Sequence, residues 1–186
     1  MVMAALMLLV GCGREERAEA VRLSQVLAGQ EAVYEKAHSM ERELVDNARA
    51  WCALIAANGA GKGDELDRNA AVADALAKAA AEASAQLGVI RQAVGDERLT
   101  KEYLQGVRSE LITQLTSRQR ALQELRTLLD EAAPQFRQYR TSKTYAGDSY
   151  PGEIAKLDSL LSTYRVPVNA LEAAREALRT NYDLTE

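Results

Sequence analysis

A single histidine limits the chemistry that this chain could perform. His38 follows Glu35 at the Glu-x-x-His spacing that carboxylate-bridged metal sites use on the inward faces of helical bundles. Such a site needs a second copy of the motif, which a chain with one histidine cannot supply. The same count excludes a histidine-dependent catalytic triad and a cysteine–histidine zinc site. We therefore predict that His38, beside Glu35 and Glu41, is a solvated or partly packed flank.

A glycine-rich segment has some similarity to a phosphate-binding loop. It reads Gly59-Ala60-Gly61-Lys62-Gly63. A phosphate-binding loop, however, has a glycine where Ala56 stands, a serine or threonine where Gly63 stands, and a strand before it. We interpret the segment as a flexible turn.

Acidic pairs such as Glu41/Glu43 and Asp130/Glu131 are frequent. A catalytic carboxylate pair needs a partly dry, concave site that separates the two pKa values. On exposed helices such pairs solubilise the protein, and arginines three or four residues away offer partners. The alternation of basic and acidic residues follows this pattern at Arg118, Arg120, Glu124, Arg126 and Asp130. We predict solvated faces, no catalytic, cofactor-binding or metal-ligating residue, and no enzymatic activity.

Cys12 is the one residue to which the sequence assigns a specific chemistry. Residues 1–10 carry no charged or polar side chain, whereas Gly13-Arg14-Glu15-Glu16-Arg17 follows the cysteine at once. An amphipathic helix would interleave apolar and charged residues instead of switching abruptly. The apolar run is too short to cross a bilayer, which needs about 20 residues. Its length suits the hydrophobic part of a secretory signal.

The segment Leu9-Val10-Gly11-Cys12 resembles the lipobox of bacterial lipoproteins. This resemblance covers only the first dozen residues. It implies cleavage before Cys12, acylation of the thiol, and anchoring of the mature N-terminus in a membrane, where two or more acyl chains hold stably. Gly13 is not the aspartate linked to inner-membrane retention. The resemblance therefore implies residence in the outer membrane, facing the periplasm.

The start of the chain departs from the lipoprotein pattern in one respect. A lipoprotein signal normally opens with lysine or arginine, and here only the α-amino group of Met1 is positive. We expect the true start to lie upstream. The alternative is that residues 1–12 are the apolar first turns of the first helix.

The second cysteine has no partner within the chain if Cys12 is acylated. Cys52 lies in the apolar segment Trp51-Cys52-Ala53-Leu54-Ile55, where a small hydrophobic side chain packs well. We predict a buried thiol. An intermolecular disulfide and a reactive thiol are the alternatives.

Aromatic and basic residues gather near the loop that follows Phe136. Tyrosine and arginine are common anchors of protein interfaces, and loops at the end of a rigid bundle often carry such contacts. The candidate partner-contact residues are Tyr139, Arg140, Lys143, Tyr145 and Tyr150. The alternative is that the tyrosines fold back and plug the end of the bundle.

Composition predicts an all-α fold. The chain is rich in alanine, has 5% aromatic residues and contains three prolines, which favours long helices. The formal net charge is -4, with lysine and arginine dispersed, so nucleic-acid binding is not expected.

Apolar residues recur every three or four positions in a series of long stretches. They predict a first helix over 15–57 with a weak spot at Gly29-Gln30, a second over 65–94, and a third from Leu104 to Phe136. Pro134 should kink or break the third helix near 131–134. Residues 140–152 should form a loop, and the last helix, 154–182, should be kinked rather than split by Pro167.

These elements predict an up-and-down bundle, or an elongated coiled-coil-like bundle, of about four long helices. Residues 1–11 would be a cleaved signal, 12–20 an acylated tether and 21–186 a single helical-bundle domain. The expected function is that of a membrane-anchored cell-envelope lipoprotein with a non-enzymatic scaffold or adaptor role and a protein partner. The alternative is a ligand-binding lipoprotein that uses the bundle interior or the Tyr-rich loop 139–150.

Overall fold

A computed structural model describes residues 2–142, 152–167 and 169–184, with side chains from residue 13 onward. These residues form an all-helical chain without strands, as the composition predicts. The helices are α1 (Val2–Gly29), α2 (Glu31–Asn58), α3 (Asp64–Gly95), α4 (Glu102–Thr141), α5 (Gly152–Thr163) and α6 (Ala170–Tyr182). The described part of the chain thus has six helices where about four were expected.

The predicted first helix is divided at Gln30 into α1 and α2. The backbone N–H of Gln30 lies 3.2 Å from the carbonyl of Val26 and 3.1 Å from that of Leu27, so the turn tightens at this point. Gly29 precedes the break, and glycine stabilises a helix less than other residues do because it loses more conformational freedom. The sequence indicated a weak spot here, but the prediction of one continuous helix was wrong.

The predicted last helix is also divided, because Pro167 ends it instead of kinking it. The residue before a proline is driven out of the helical conformation. A new helix then begins at Ala170, where Asn169 acts as the N-cap and its side chain accepts the backbone N–H of Glu172. The Asn-x-x-Glu pattern is a start signal that could have been recognised in the sequence.

Pro134, in contrast, does not break the third helix. The helix α4 runs from Glu102 to Thr141 through this proline. Its neighbours Ala132, Ala133 and Phe136 are buried, whereas Pro134 itself is exposed. A proline inside a helix removes a backbone hydrogen bond and costs about 3 kcal/mol. Packing of the residues on both sides of Pro134 offsets this cost.

The chain divides into two compact units. Unit 1 comprises Met1–Glu35, Leu87–Ser117 and Pro167–Glu186, and unit 2 comprises Lys36–Gln86 and Arg118–Val166. The helices α2, α3 and α4 contribute residues to both units. In each unit the predicted apolar stripes form the core, as helix bundles require. Unit 1 buries side chains that include Leu23, Leu27, Leu104, Leu111 and Leu178, and unit 2 buries Leu44, Ile55, Leu122, Leu129 and Leu157.

A glutamate from α1 caps the start of α4 in unit 1. Glu19 is 7% exposed, and its carboxylate accepts the hydroxyl of Thr100 at 2.6 Å and the backbone N–H of Thr100 at 2.8 Å. The N–H of Lys101 lies 3.4 Å from Oε2, the oxygen that accepts the Thr100 N–H. The Thr100 hydroxyl, followed by the Thr100 N–H, holds the pKa of Glu19 below its ordinary value of 4.5. The charged form of Glu19 therefore stabilises the fold.

We predict that Glu19→Gln lowers the free energy of unfolding at pH 7 and reduces its loss in acid. A group whose pKa is lower in the folded state contributes stability above its unfolded pKa, and this contribution disappears as the pH falls through the folded value. The difference between wild type and variant should therefore shrink below about pH 4.5. Urea unfolding followed by circular dichroism from pH 7 to pH 3 measures this difference.

Glu15→Gln is the matched control, because Glu15 lies one turn earlier on α1 and is exposed. It should leave the free energy of unfolding nearly unchanged at every pH. Equal losses of stability in the two variants would contradict the capping role of Glu19.

Candidate functional site

The lipobox-like residues lie in the first half of α1. The helix begins at Val2, so the backbone from residue 2 to residue 12 is helical. The side chain of Cys12 lies outside the described residues. Acylation of Cys12 therefore stays a prediction from the sequence.

The residues assigned to a tether are in contact with the fold of unit 1. The carboxylate of Glu16 accepts the hydroxyl of Tyr182 at 2.6 Å, and a guanidinium nitrogen of Arg17 lies 3.3 Å from the backbone carbonyl of Asp183. Glu19 then caps α4, and Ala20 is fully buried. Burial and the bond to Glu16 raise the pKa of Tyr182. The chain is thus tied to its own bundle from Glu16 onward.

Unit 2 contains a buried cluster of charged and polar side chains, which we call the Glu41 cluster: Glu41, Arg118, Tyr164 and His38. Glu41 is 0% exposed and Arg118 2% exposed. Both residues were predicted to lie on solvated faces, and that prediction was wrong. The error has a physical reason: the two charges neutralise each other across helices, so burial does not leave either one uncompensated.

The Glu41 carboxylate is bonded at both oxygens. Arg118 Nε donates to Oε2 at 3.0 Å, and Arg118 Nη2 donates to the same oxygen. The Tyr164 hydroxyl donates to Oε1. The ring Nδ1 of His38 lies 3.5 Å from Arg118 Nη2. The ring is partly buried, which agrees with the second of the two predicted alternatives, a solvated or a partly packed flank.

The geometry of the Glu41 cluster restricts what it can do chemically. Burial, followed by the neighbouring Glu41 charge, raises the pKa of Tyr164, so its hydroxyl stays protonated at neutral pH. Arginine keeps its proton in proteins. The Glu41 oxygens are occupied by donors from two other elements, and the cluster therefore fits a structural role better than proton transfer.

The sequence carried a signal for this cluster. The predicted stripe of the third helix contains Leu115 and Leu122, and Arg118 fills the seven-residue gap between them at helical spacing. Glu41 likewise follows Ala37 by four residues and precedes Leu44 by three. A charged residue at the spacing of an apolar stripe indicates a buried charge, although it does not identify the residue that neutralises it.

Arg49 closes the C-terminal end of α5 in unit 2. Its Nη2 donates to the backbone carbonyls of Leu161 at 2.9 Å and Tyr164 at 2.7 Å. The Leu161 carbonyl belongs to the last turn of α5, where carbonyls have no partner within the helix, and a cation there also complements the helix dipole. The bonds hold Tyr164 beside Glu41.

The candidate partner-contact residues are only partly described. Arg140 is exposed and forms ion pairs with Asp64 and Asp67 at the start of α3, while Tyr139 is half-buried. Lys143, Tyr145 and Tyr150 lie outside the described residues. Phe136 is buried and packs against Trp51, with ring centroids 5.7 Å apart. Arg140 is thus engaged within unit 2.

Cys52 is fully buried, which confirms the prediction of a buried thiol. Burial, helped by the Asp158 charge, raises the pKa of the thiol to about 12. The nucleophilic thiolate is therefore scarce at neutral pH.

Each unit has an open groove on its surface. In unit 1 a groove of about 300 Å³ between α4 and α6 is lined by small residues such as Gly106, Ala173 and Ala177. In unit 2 a groove of about 520 Å³ between the end of α2 and the start of α3 is lined by Trp51, Leu54, Arg68, Asn69 and Val72. Leu54 is 58% exposed there. The second groove combines apolar walls with the guanidinium of Arg68 and the carboxylate of Glu65, which accepts the backbone N–H of Lys62 at 3.1 Å. Apolar walls with a few polar groups are typical of sites for small molecules.

Comparisons with known proteins give no relative from which a function could be transferred. No family model, curated protein or solved structure matches the chain. Within the described residues, no group of three or more histidine, cysteine, aspartate or glutamate side chains could hold a metal ion. In that same part of the chain, none of the helices has the length and apolar character needed to span a membrane.

We predict that Arg118→Met destabilises the protein by about 3–5 kcal/mol, because it leaves the Glu41 carboxylate buried without its cation. The triple variant Glu41→Leu/Arg118→Met/Tyr164→Phe removes the carboxylate, the guanidinium and the hydroxyl bonded to it together, and should recover most of this loss. Chemical denaturation of the variants measures both free energies.

Arg126→Met is the control, because Arg126 pairs with Asp130 at 3.2 Å on an exposed face. Exposed pairs contribute about 0–1 kcal/mol. If Arg118→Met lowered the free energy of unfolding no more than Arg126→Met does, the pairing of Glu41 with Arg118 would not be important for the stability of unit 2.

Proposed function

We propose that this chain is a cell-envelope lipoprotein that is anchored through Cys12 and acts as a non-enzymatic helical scaffold or adaptor. The observation that carries the proposal is the segment Leu9-Val10-Gly11-Cys12, followed directly by a run of charged residues. The mature protein begins at the acylated Cys12, is held in the outer membrane and faces the periplasm. Its up-and-down bundle, in standard or elongated coiled-coil-like form, presents surfaces to a protein partner in the envelope.

Two features of the described residues support the scaffold role. The charged groups of the Glu41 cluster bind one another, which makes them poor candidates for acid–base catalysis. The helix ends are capped by side chains from other helices, as Glu19 and Arg49 illustrate. A fold that is stabilised in this way keeps its surface geometry constant, which an adaptor requires.

The anchor is tested by phase partition. We expect the wild-type chain, expressed with a complete lipoprotein signal in a double-membraned bacterium, to enter the detergent phase of a Triton X-114 extraction. A Cys12→Ala variant should enter the aqueous phase, because it lacks the acyl chains that supply the membrane affinity. Mass spectrometry of the N-terminal peptide should find an acylated Cys12.

Cys52→Ala serves as the matched control, since Cys52 is buried and should not affect partition. Equal partition of the wild type and the Cys12→Ala variant into the aqueous phase would overturn the proposal. An unmodified Cys12 in the membrane fraction would overturn it as well.

The partner is tested by affinity capture from solubilised membranes. We expect Tyr145→Ala/Tyr150→Ala to lose proteins that the wild type retains, because tyrosines are frequent interface anchors. An unchanged set of captured proteins would remove residues 139–150 from the interface and leave the anchor unaffected.

A ligand-binding function is the second candidate, and the groove in unit 2 favours it. Leu54 and Val72 expose apolar surface on its walls, and Arg68 supplies a positive charge beside them. A small molecule with an apolar chain and an anionic head would satisfy both. In this candidate function the protein is also anchored through Cys12, but the bundle binds a small-molecule ligand.

Trp51 is the only tryptophan and lines this groove, so its fluorescence reports occupancy. If the second candidate holds, dodecanoate should change the emission of Trp51 in a saturable way. Leu54→Glu should abolish the change, because it replaces an apolar wall residue by a second carboxylate in addition to Glu65. Val89→Glu, at an exposed apolar residue elsewhere on α3, is the control. No change in emission up to the solubility limit of dodecanoate would count against ligand binding at this groove.

A further inference from the structure

The path from Cys12 to the fold of unit 1 contains no flexible linker. Glu16 binds Tyr182, and Arg17 reaches Asp183, only four and five residues after Cys12. The backbone of this stretch is part of α1, where each residue advances about 1.5 Å. Even if the first turn unwound completely, four residues would span at most about 14 Å. A group attached to Cys12 therefore stays close to the end of α6.

Three elements of unit 1 meet where α1 enters the fold. They are α1 itself, the α3–α4 turn held by Glu19, and the C-terminal end of α6 held by Glu16 and Arg17. We call the exposed side of this junction the anchor-proximal surface, and we define it by Arg14, Arg17, Arg98, Tyr103 and Tyr182.

Two tyrosines on the anchor-proximal surface have the character of residues at a membrane–water interface. Tyr103 is 42% exposed, and its ring centroid lies 6.0 Å from that of Tyr182. The hydroxyl of Tyr103 accepts Asn181 Nδ2 at 2.5 Å, and that of Tyr182 donates to Glu16. Rings with bonded polar ends are enriched at the headgroup level of membranes, because one part of the side chain is apolar and the other polar.

The exposed charged residues of the three elements that meet at this junction are of both signs. The exposed basic residues are Arg14, Arg17 and Arg98, and the exposed acidic residues are Glu15, Asp96, Glu102 and Asp183. Such a surface has no excess of positive charge for an anionic membrane. It suits zwitterionic headgroups, whose ammonium and phosphate groups can each find an opposite charge.

We infer that the anchor-proximal surface lies against a zwitterionic lipid surface in the mature protein, so that the anchor fixes the orientation of unit 1 as well as its location. The inference rests on the proposed acylation of Cys12. It adds that the α3–α4 turn and the end of α6 face the bilayer, while the start of α6 faces away from it. Residues available to a protein partner in unit 1 are then those distant from Arg98 and Tyr182.

Depth-dependent quenching tests this orientation. The acylated chain, in a Cys52→Ala background, carries one fluorophore on either Arg98→Cys or Glu172→Cys. Residue 172 is an exposed position on α6, ten residues before Tyr182, which corresponds to about 15 Å along the helix. The vesicles consist of phosphatidylethanolamine and phosphatidylcholine and contain a lipid with a nitroxide at the headgroup. We expect severalfold stronger quenching at residue 98 than at residue 172.

A linker variant separates orientation from anchoring. Inserting about 12 glycine and serine residues between Gly13 and Arg14 adds an average span of roughly 20 Å. We expect the variant to remain on the vesicles while the ratio of quenching at the two positions falls towards one. Equal quenching of both positions without the linker, or a ratio that the linker leaves unchanged, would overturn the inference and leave the anchor intact. Failure of the acylated chain to bind the vesicles would overturn the proposed function together with it.

Discussion

The pairing of Glu41 with Arg118 is the constraint on which the arrangement of unit 2 depends. A buried carboxylate is compatible with few arrangements of the neighbouring helices, because each of its oxygens needs a donor at hydrogen-bond distance. One oxygen takes its donors from α4, and the other takes the hydroxyl of Tyr164, just after α5. Sliding α2 along α4 by a single turn would separate these groups. The apolar stripes alone would tolerate such a shift, since alanine and leucine recur along them. The cluster therefore selects one register among several that the apolar stripes would accept.

The ends of the helices are controlled by the same kind of long-range contact. Glu19 binds the residues just before α4, and Arg49 binds the carbonyl of Leu161 in the last turn of α5, each from a different helix. The N–H of Ala170 at the start of α6 donates to the hydroxyl of Tyr34 at 3.0 Å. Unpaired groups at helix ends must find partners, and here distant side chains supply them. Helices as short as α5 and α6 are only marginally stable in isolation. They therefore depend on these contacts with other helices.

Much of the fold follows from local sequence signals. The bounds of α3 were predicted almost to the residue, because acidic residues begin it after a glycine-rich turn and Gly95 ends it. The apolar stripes identified the core for the same reason, and the burial of Cys52 followed from its apolar neighbours. The features that were not predicted depend on contacts between residues far apart in the sequence. Pro134 is tolerated because its neighbours pack on other helices, and Glu41 and Arg118 are buried because each neutralises the other. Residue spacing alone does not show which charge in one stripe meets which charge in another.

The buried thiol of unit 2 has a consequence for how the protein opens. Thiol modification proceeds through the thiolate, and Cys52 is both inaccessible and protonated in the folded state. A reagent can therefore reach it only during excursions in which the helices around it separate. The rate of its modification is then set by the equilibrium between closed and open states of unit 2, as hydrogen exchange is for buried amides. The rate of Cys52 modification therefore reports local unfolding in the part of the chain that the Glu41 cluster holds together.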